Sequence, residues 1–453
     1  MGFSKNFVWG AATAAYQVEG AASIDGRGLS VWDIYGATPG KVLHGHTGQR
    51  ACNHYERYKG DVGLMKEIGL QAYRFSVSWP RVLPEGVGSV NDKGLDFYDR
   101  LVDELLHHGI EPYITLFHWD FPYELYKKGG WLNRDSANWF ADYSAVVVNR
   151  LSDRVKNWIT LNEPPVFINL GHKTGKHAPG LQLPLQEVLQ AAHHAMLGHG
   201  KAVQAIRHNA KLQVQVGYAP NTQVPIPNTD SLEDIEAARF KMFEIQTKQD
   251  TNLASLFVDP VVLGDYPQSA YEVFGSDMPA MLSDDLKTIC QPLDFIGFNI
   301  YHGARYKKGD GAKPERVAFK EGHMETSMGW PVTPEALYWG PKFIVDRYKL
   351  PLYITENGMA NTEWPNLDGQ IYDHQRIDFL SRYLGQLKRL AEEGADLRGY
   401  FCWSLMDNYE WSHGYAERFG LIYVDYETEE RTVKQSGLWY KRVIETNGEI
   451  AGS

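Results

Sequence analysis

Two short segments of this sequence end a β-branched or apolar run in a glutamate: Thr160-Leu161-Asn162-Glu163-Pro164 and Ile354-Thr355-Glu356-Asn357-Gly358. The two glutamates stand 193 positions apart, so only a fold can bring them together. A single glutamate past a strand is ordinarily a loop or helix-start carboxylate. Two of them, each beside an asparagine, suit a chemistry that needs paired carboxyls. One carboxylate attacks or activates water while the other, protonated, gives its proton to a leaving oxygen, as in cleavage of a glycosidic bond.

Other chemistries find less support. Histidines at 44, 46 and 54, and at 193, 194 and 199, invite a metal site, but no acidic partner completes a recognisable ligand set. No metal and no cofactor are expected. Cys52, Cys290 and Cys402 are far apart and form no CxxC pair, which argues against a disulfide framework or a thiolate zinc site. The formal charge of −11, with no long run of one sign, argues against nucleic acid or an anionic membrane as a partner. No apolar run is long enough to span a bilayer. The N-terminal stretch from Met1 to Phe7 has no apolar core of a secretory signal, so a cytoplasmic protein is expected.

Eight strand candidates must position the two glutamates. They are Phe7–Gly10, Ala72–Ser76, Glu111–Leu116, Asn157–Leu161, Gln213–Gly217, Asp294–Asn299, Leu352–Thr355 and Gly399–Trp403. Amphipathic helices lie between them. Asn91 is expected to cap a helix with the face Leu95, Tyr98, Leu101, Val102, Leu105, stopped by Gly109. Thr333-Pro334 reads as an N-cap followed by proline at the first helical position. Ile377, Leu380, Leu384, Leu387 and Ala391 form a further stripe closed by Gly394. Eight strands alternating with helices, without a linker, predict an α/β fold: a single (β/α)8 TIM barrel over residues 1–453, with long βα loops forming the active-site pocket. A doubly wound open sheet is the rival, disfavoured because no glycine-rich phosphate loop follows the first strand. Arg74, His118, Asn162, Glu163, Asn299, Glu356 and Trp403 all fall at strand C-terminal ends, which converge on one mouth in a parallel barrel.

The two glutamate segments resemble the acid/base and nucleophile motifs of glycoside hydrolase family 1. So do the stretch from Phe7 to Gly20, Tyr73–Arg81, Leu116-Phe117-His118-Trp119-Asp120, Gly297–Tyr301 and Glu417–Leu421, in order along essentially the whole chain. The resemblance implies that Glu163 is the acid/base and Glu356 the nucleophile of a retaining β-glucosidase, working by double displacement. It implies that Arg74 and Tyr301 hold Glu356 ionised, and that this charge keeps Glu163 protonated. Gln17, His118, Asn162 and Glu410 would bind the hydroxyls of the sugar being cleaved, Asn162 at the 2-hydroxyl. Asn299 would orient that network, Trp403 would be a stacking floor, and Trp411 a second ring with an N–H donor; Trp119 would support them.

The resemblance also narrows the substrate. Relatives acting on 6-phosphosugars resemble a Ser and Lys pattern where this chain has Glu410 and Trp411, so an unphosphorylated sugar is expected. Glu410 suits glucose and galactose alike, with galactosidase and fucosidase side activities. Glu163, where thioglucoside-cleaving plant relatives have Gln, points to O-glycosides. Pro165 stands where bacterial relatives often have Trp, leaving Phe167 or Leu170 to shape the entrance. The partner expected is a small β-glucoside or a cellobiose-like oligosaccharide. The connection from Asn299 to Leu352 is taken as the longest candidate lid. A non-catalytic carbohydrate-binding barrel, and a transglycosidase or 6-phospho-β-glycosidase on the same scaffold, are the competing readings.

Overall fold

The computed structural model describes residues 2–310 and 313–452; Met1 and Ser453, the ends of the unit expected from sequence, lie outside the described residues. Eight parallel strands form a closed barrel: β1 (Val8–Ala12), β2 (Ala72–Ser76), β3 (Glu111–Phe117), β4 (Asn157–Asn162), β5 (Gln215–Ala219), β6 (Phe295–Asn299), β7 (Leu352–Asn357) and β8 (Leu397–Trp403). They run around the barrel in chain order, and β1 pairs with both β2 and β8, Val8 opposite Gly399 and Ala12 opposite Trp403. All eight expected strands are present. The fifth is displaced, beginning at Gln215 rather than Gln213 and running on to Ala219.

These strands are covered on both faces, which explains their near-continuous apolar character. Glycines make room inside: a Cβ on Gly297 would sit 2.5 Å from the Thr355 methyl, and one on Gly217 would sit 2.2 Å from the Phe295 ring. The helices pack outside with their apolar faces inward. Leu95, Tyr98, Leu101, Val102 and Leu105 of Asp92–His107 are all buried, as are Leu380, Leu384 and Leu387 of His374–Glu392. Gly394, with φ +89°, stops the latter helix as expected.

Two cap expectations are corrected. Asn91 does precede its helix, but its amide donates to the carbonyls of Asp25 (2.8 Å) and Arg81 (2.9 Å), tying two loops together instead of capping. The later helix begins at Ala336, not after Thr333; the Thr333 hydroxyl accepts from the Gly303 amide at 2.8 Å and is therefore engaged elsewhere. The connection from Asn299 to Leu352 is not a bare lid. It contains strands Gly303–Lys308 and Pro314–Val317 and the helix Ala336–Tyr348, and the first strand pairs with Val224–Pro227 from the connection after β5. That earlier connection, from Ala219 to Phe295, is also the longer one. No helix among the described residues is long and apolar enough to cross a membrane.

Candidate active site

The strand ends are irregular where the glutamates sit. Pairing of β7 with both neighbours shifts register after Ile354, and that of β4 with β5 shifts after Ile159. Such irregularities re-aim side chains at barrel rims. Glu163 follows β4 with φ +46°, a left-handed conformation costly for a residue preceding proline, and Pro164 then starts a short helix. Its amide is held by the Ala219 carbonyl at 2.8 Å, and its carboxyl receives the Asn299 amide at 2.6 Å.

Glu356 is held differently. Arg74, 1% exposed on β2, reaches across the barrel and donates to Glu356 Oε1 at 2.8 Å, while the Tyr301 hydroxyl donates to Oε2 at 2.7 Å. Arg74 also donates to the Thr355 carbonyl, the Thr115 hydroxyl and Asn162 Oδ1, so its plane is fixed by acceptors on three other strands. Asn299 Nδ2 donates to both Glu163 and Asn162, and its Oδ1 accepts from the Thr355 hydroxyl at 2.7 Å. Thus a single network connects the carboxyls without joining them directly.

The two environments separate the carboxyls in acidity. Burial and the charge of Glu356 push Glu163 well above the ordinary carboxylate range, and among the described residues its one hydrogen-bond donor is Asn299. Burial also raises Glu356, but Arg74 and Tyr301 oppose it. Glu356 therefore ionises first. Arg74 and Tyr301 both favour its charged form, as expected, and partly offset its desolvation. Glu410, half-buried, is pushed up to about 8, by burial first and then by the charge of Glu356. That shift favours its protonated form in the unliganded site, which can donate as well as accept.

A cavity of about 740 Å³ opens over these groups, its walls including Glu163, Glu356, Glu410, Asn299, Tyr301 and His118. Trp119, Trp403 and Trp411 supply aromatic wall; Trp403 lies 5.8 Å from the His118 ring, and Trp411 stacks against Tyr16 with planes 5° apart. Trp119 donates its indole N–H to the Asn162 carbonyl at 2.9 Å, fixing the end of β4. Gln17, Asn162 and Arg74 stand behind this surface. Gln17 donates to Asn408, the Tyr409 carbonyl and Glu410, leaving its buried Oε1 without a partner. Asn162 uses Oδ1 on Arg74 and Asn299 and one N–H on His118 Nε2, so one N–H is left. That pairing puts the imidazole proton on Nδ1, which has no partner, and burial first, then Arg74, keeps the ring neutral.

The expected site residues thus gather at one mouth, and of the two residues offered for the entrance one takes that place. Leu170 lines the cavity, but Phe167 turns into the core, stacked on Trp131 with centroids 5.9 Å apart, and Val166 takes the wall position instead. Thr355, Asn408, Trp330 and His302 were not singled out from sequence. Thr355 carried a usable signal, a polar side chain inside an apolar strand; the others lie in loops whose course sequence does not fix. The histidine clusters are occupied by local partners: His54 pairs with Asp61, His193 with Asp285, His194 with the Trp131 carbonyl and His199 with Thr160. Among the described residues no three His, Cys, Asp or Glu side chains converge as a metal site would require.

A closed parallel barrel carrying two buried glutamates of unequal acidity at its C-terminal mouth has the build of a barrel glycoside hydrolase. The chain matches the model of glycosyl hydrolase family 1 over residues 1–449, and it belongs to that family. It is 45% identical over 448 residues to beta-glucosidase A of Thermotoga maritima, covering 98% of each chain, and 44% identical over 448 residues to a 1,4-beta-D-glucan glucohydrolase of Thermotoga neapolitana, covering 98% and 99%. Among solved structures, a beta-glucosidase from Thermotoga maritima in complex with glucoimidazole superposes with a TM-score of 0.91 at 44% identity, covering 99% of each chain. The protein is a glycoside hydrolase.

Proposed function

We propose that the chain is a retaining β-glucosidase that removes terminal non-reducing β-D-glucosyl residues from cellobiose-like oligosaccharides and from aryl and alkyl β-glucosides. The observation that carries the reading is the inequality of the two carboxyls: Glu356 is bound by a cation and a phenol, Glu163 by one amide. The names of its relatives, beta-glucosidase and 1,4-beta-D-glucan glucohydrolase, support the substrate class. In the first step a Glu356 oxygen bonds to the anomeric carbon as the bond from that carbon to the leaving oxygen breaks, and Glu163 gives its proton to that oxygen. In the second, Glu163 takes a proton from water, whose oxygen bonds to the anomeric carbon and displaces Glu356 as a carboxylate.

The sugar's hydroxyls would meet the unmatched groups: the spare Asn162 N–H at the 2-hydroxyl, His118 and Gln17 beside it, and Glu410 at the 4- and 6-hydroxyls, with Trp403 beneath the ring and the Trp411 indole at its edge. A neutral Glu410 can donate to one hydroxyl and accept from the other, and it serves either orientation at C4, so galactosidase and fucosidase side activities are part of the proposal. The reading takes residues 1–453 as one catalytic unit. It places the enzyme in the cytoplasm, where its three unpaired cysteines would stay reduced. The test is proton NMR of the first sugar released from an aryl β-glucoside, alongside Glu356→Ala. The β-anomer and a loss of turnover by at least about 10⁴-fold are expected. An initial α-anomer, or near-normal activity of the variant, would overturn the mechanism. An aryl 6-phosphoglucoside cleaved faster than the glucoside would overturn the substrate assignment.

A further inference from the structure

The cavity is electrostatically two-ended. Among the described residues its acidic lining consists of Glu163, Glu356 and Glu410, all at the buried or half-buried floor. Among the described residues the lysines that line it are Lys41 and Lys176, both exposed at the opening. Among the described residues no ion pair joins either lysine ammonium to a carboxylate, and no acidic residue lines the cavity beside them. The two cations therefore stand on the side of the cavity from which a bound glycoside's leaving group must emerge.

The lysines are held on one wall. Lys41 lies with Nζ 5.5 Å from the Tyr35 ring centroid, and the Tyr35 hydroxyl donates at 3.1 Å to the carbonyl of Gly175, next to Lys176. The Lys176 carbonyl accepts from the Ser412 hydroxyl at 2.6 Å, which ties this loop to the Trp411–His413 turn. A Cβ on Gly180, in the same loop as Lys176, would sit 3.1 Å from the Tyr35 ring and 3.9 Å from Lys41 Nζ, so the first ammonium stands against the loop that carries the second. Between them Tyr35 presents an aromatic surface. His177 beside it is driven down to about 3 by burial first and then by His413, and adds no charge at neutral pH.

We propose that this wall is a subsite for a leaving group bearing an anionic substituent, a carboxylate or a sulfonate or sulfate, with Lys41 and Lys176 setting that preference. The proposal rests on the glycosidase reading above. An anion there gains two cations at the rim and stays distant from ionised Glu356 at the floor, which disfavours an anion on the sugar itself. It is tested with three aryl β-glucosides that differ only in the ring substituent: carboxamide, carboxylate and sulfonate. Wild type is set against Lys41→Gln/Lys176→Gln, taking kcat/KM as a ratio of each anion to the carboxamide, so that intrinsic leaving-group reactivity cancels between the proteins.

The double substitution is expected to lower the anion-to-carboxamide ratio about fivefold at low salt, chiefly through KM, and 0.5 M NaCl is expected to do much the same to wild type. A drop for the carboxylate alone narrows the subsite to carboxylates; a drop for both supports a general anion site. Ratios equal in the two proteins, with the carboxamide turned over normally, overturn the inference and leave the glycosidase reading standing. Failure of wild type to cleave the carboxamide glucoside overturns both.

Discussion

At the scale of residues, the pair Glu163 and Glu356 is less a matter of two carboxylates than of four neighbours. Arg74 and Tyr301 face one, Asn299 and the first carboxylate face the other. Catalysis by the proposed route requires Glu356 ionised and Glu163 protonated, so activity rises with pH as Glu356 loses its proton and falls as Glu163 does. Replacing Tyr301 with Phe removes a donor that favours the charged form of Glu356, so the Glu356 pKa rises. The acid limb of kcat/KM is therefore expected to move to higher pH, with the basic limb little changed and kcat reduced by roughly one to two orders of magnitude. A pH–rate profile of Tyr301→Phe checks this. An acid limb that stays in place or moves down would mean that the phenol does not govern the nucleophile.

At the scale of elements, the site depends on how strands β6 and β7 approach each other. Gly297 is bare where Thr355 packs, and the Thr355 hydroxyl in turn holds Asn299, the residue that touches Glu163. Gly297→Ala places a methyl 2.5 Å from the Thr355 side chain, within the core of a barrel that cannot relax freely. Overpacking of this kind is expected to cost about 1–3 kcal/mol in unfolding by urea. Because the displaced threonine orients Asn299, kcat should fall further than stability alone explains, measured well below the unfolding transition. Full activity in a destabilised variant would uncouple Thr355 from the site. The same dependence explains the corrections at helix starts. Asn91 and Thr333 have the right side chains to cap, but each is captured by a loop distant in sequence.

At the scale of the whole molecule, a buried ionic cluster joins the loops after β7 and β8 to the C-terminal helix Gln435–Glu445. Lys434, wholly buried, pairs with Asp407 at 2.7 Å and with Glu363, and Asp407 also receives Arg418 at 2.6 Å. Arg376 joins Glu363 to Asp373, which accepts from the Ser436 amide at 2.8 Å. Asp407 immediately precedes Asn408, the partner of Gln17, so the cluster stands behind the sugar-binding corner. Asp407→Asn leaves Lys434 and Arg418 short of an anion, and a loss of about 3–5 kcal/mol is expected in chemical unfolding. The pH sign follows from the direction of the shift. Although burial raises Asp407, Lys434 and then Arg418 bring its folded value below the unfolded one near 4. Its contribution is thus full above the unfolded pKa and is lost as pH falls through the folded one. Wild type should lose stability on acidification more steeply than Asp407→Asn, and parallel pH curves would remove Asp407 from that account.

The sequence by itself determined the eight strands and the helices between them, and it singled out the two glutamates as a candidate pair. Period, strand length and β-branched composition are local properties, and motifs such as Thr160–Pro164 and Ile354–Gly358 carry their chemistry in adjacent residues. It did not determine where Phe167, Thr333 or Asn91 point, because each position is settled by a partner many residues away. Nor did it show that burial favours the protonated form of Glu410 and keeps Glu356 above its ordinary range, since desolvation depends on everything packed around a carboxyl. The rim lysines make the point most simply. Lys41 and Lys176 are unremarked surface residues in the chain, 135 positions apart, and only closure of the barrel sets them on the lining of one cavity with three glutamates.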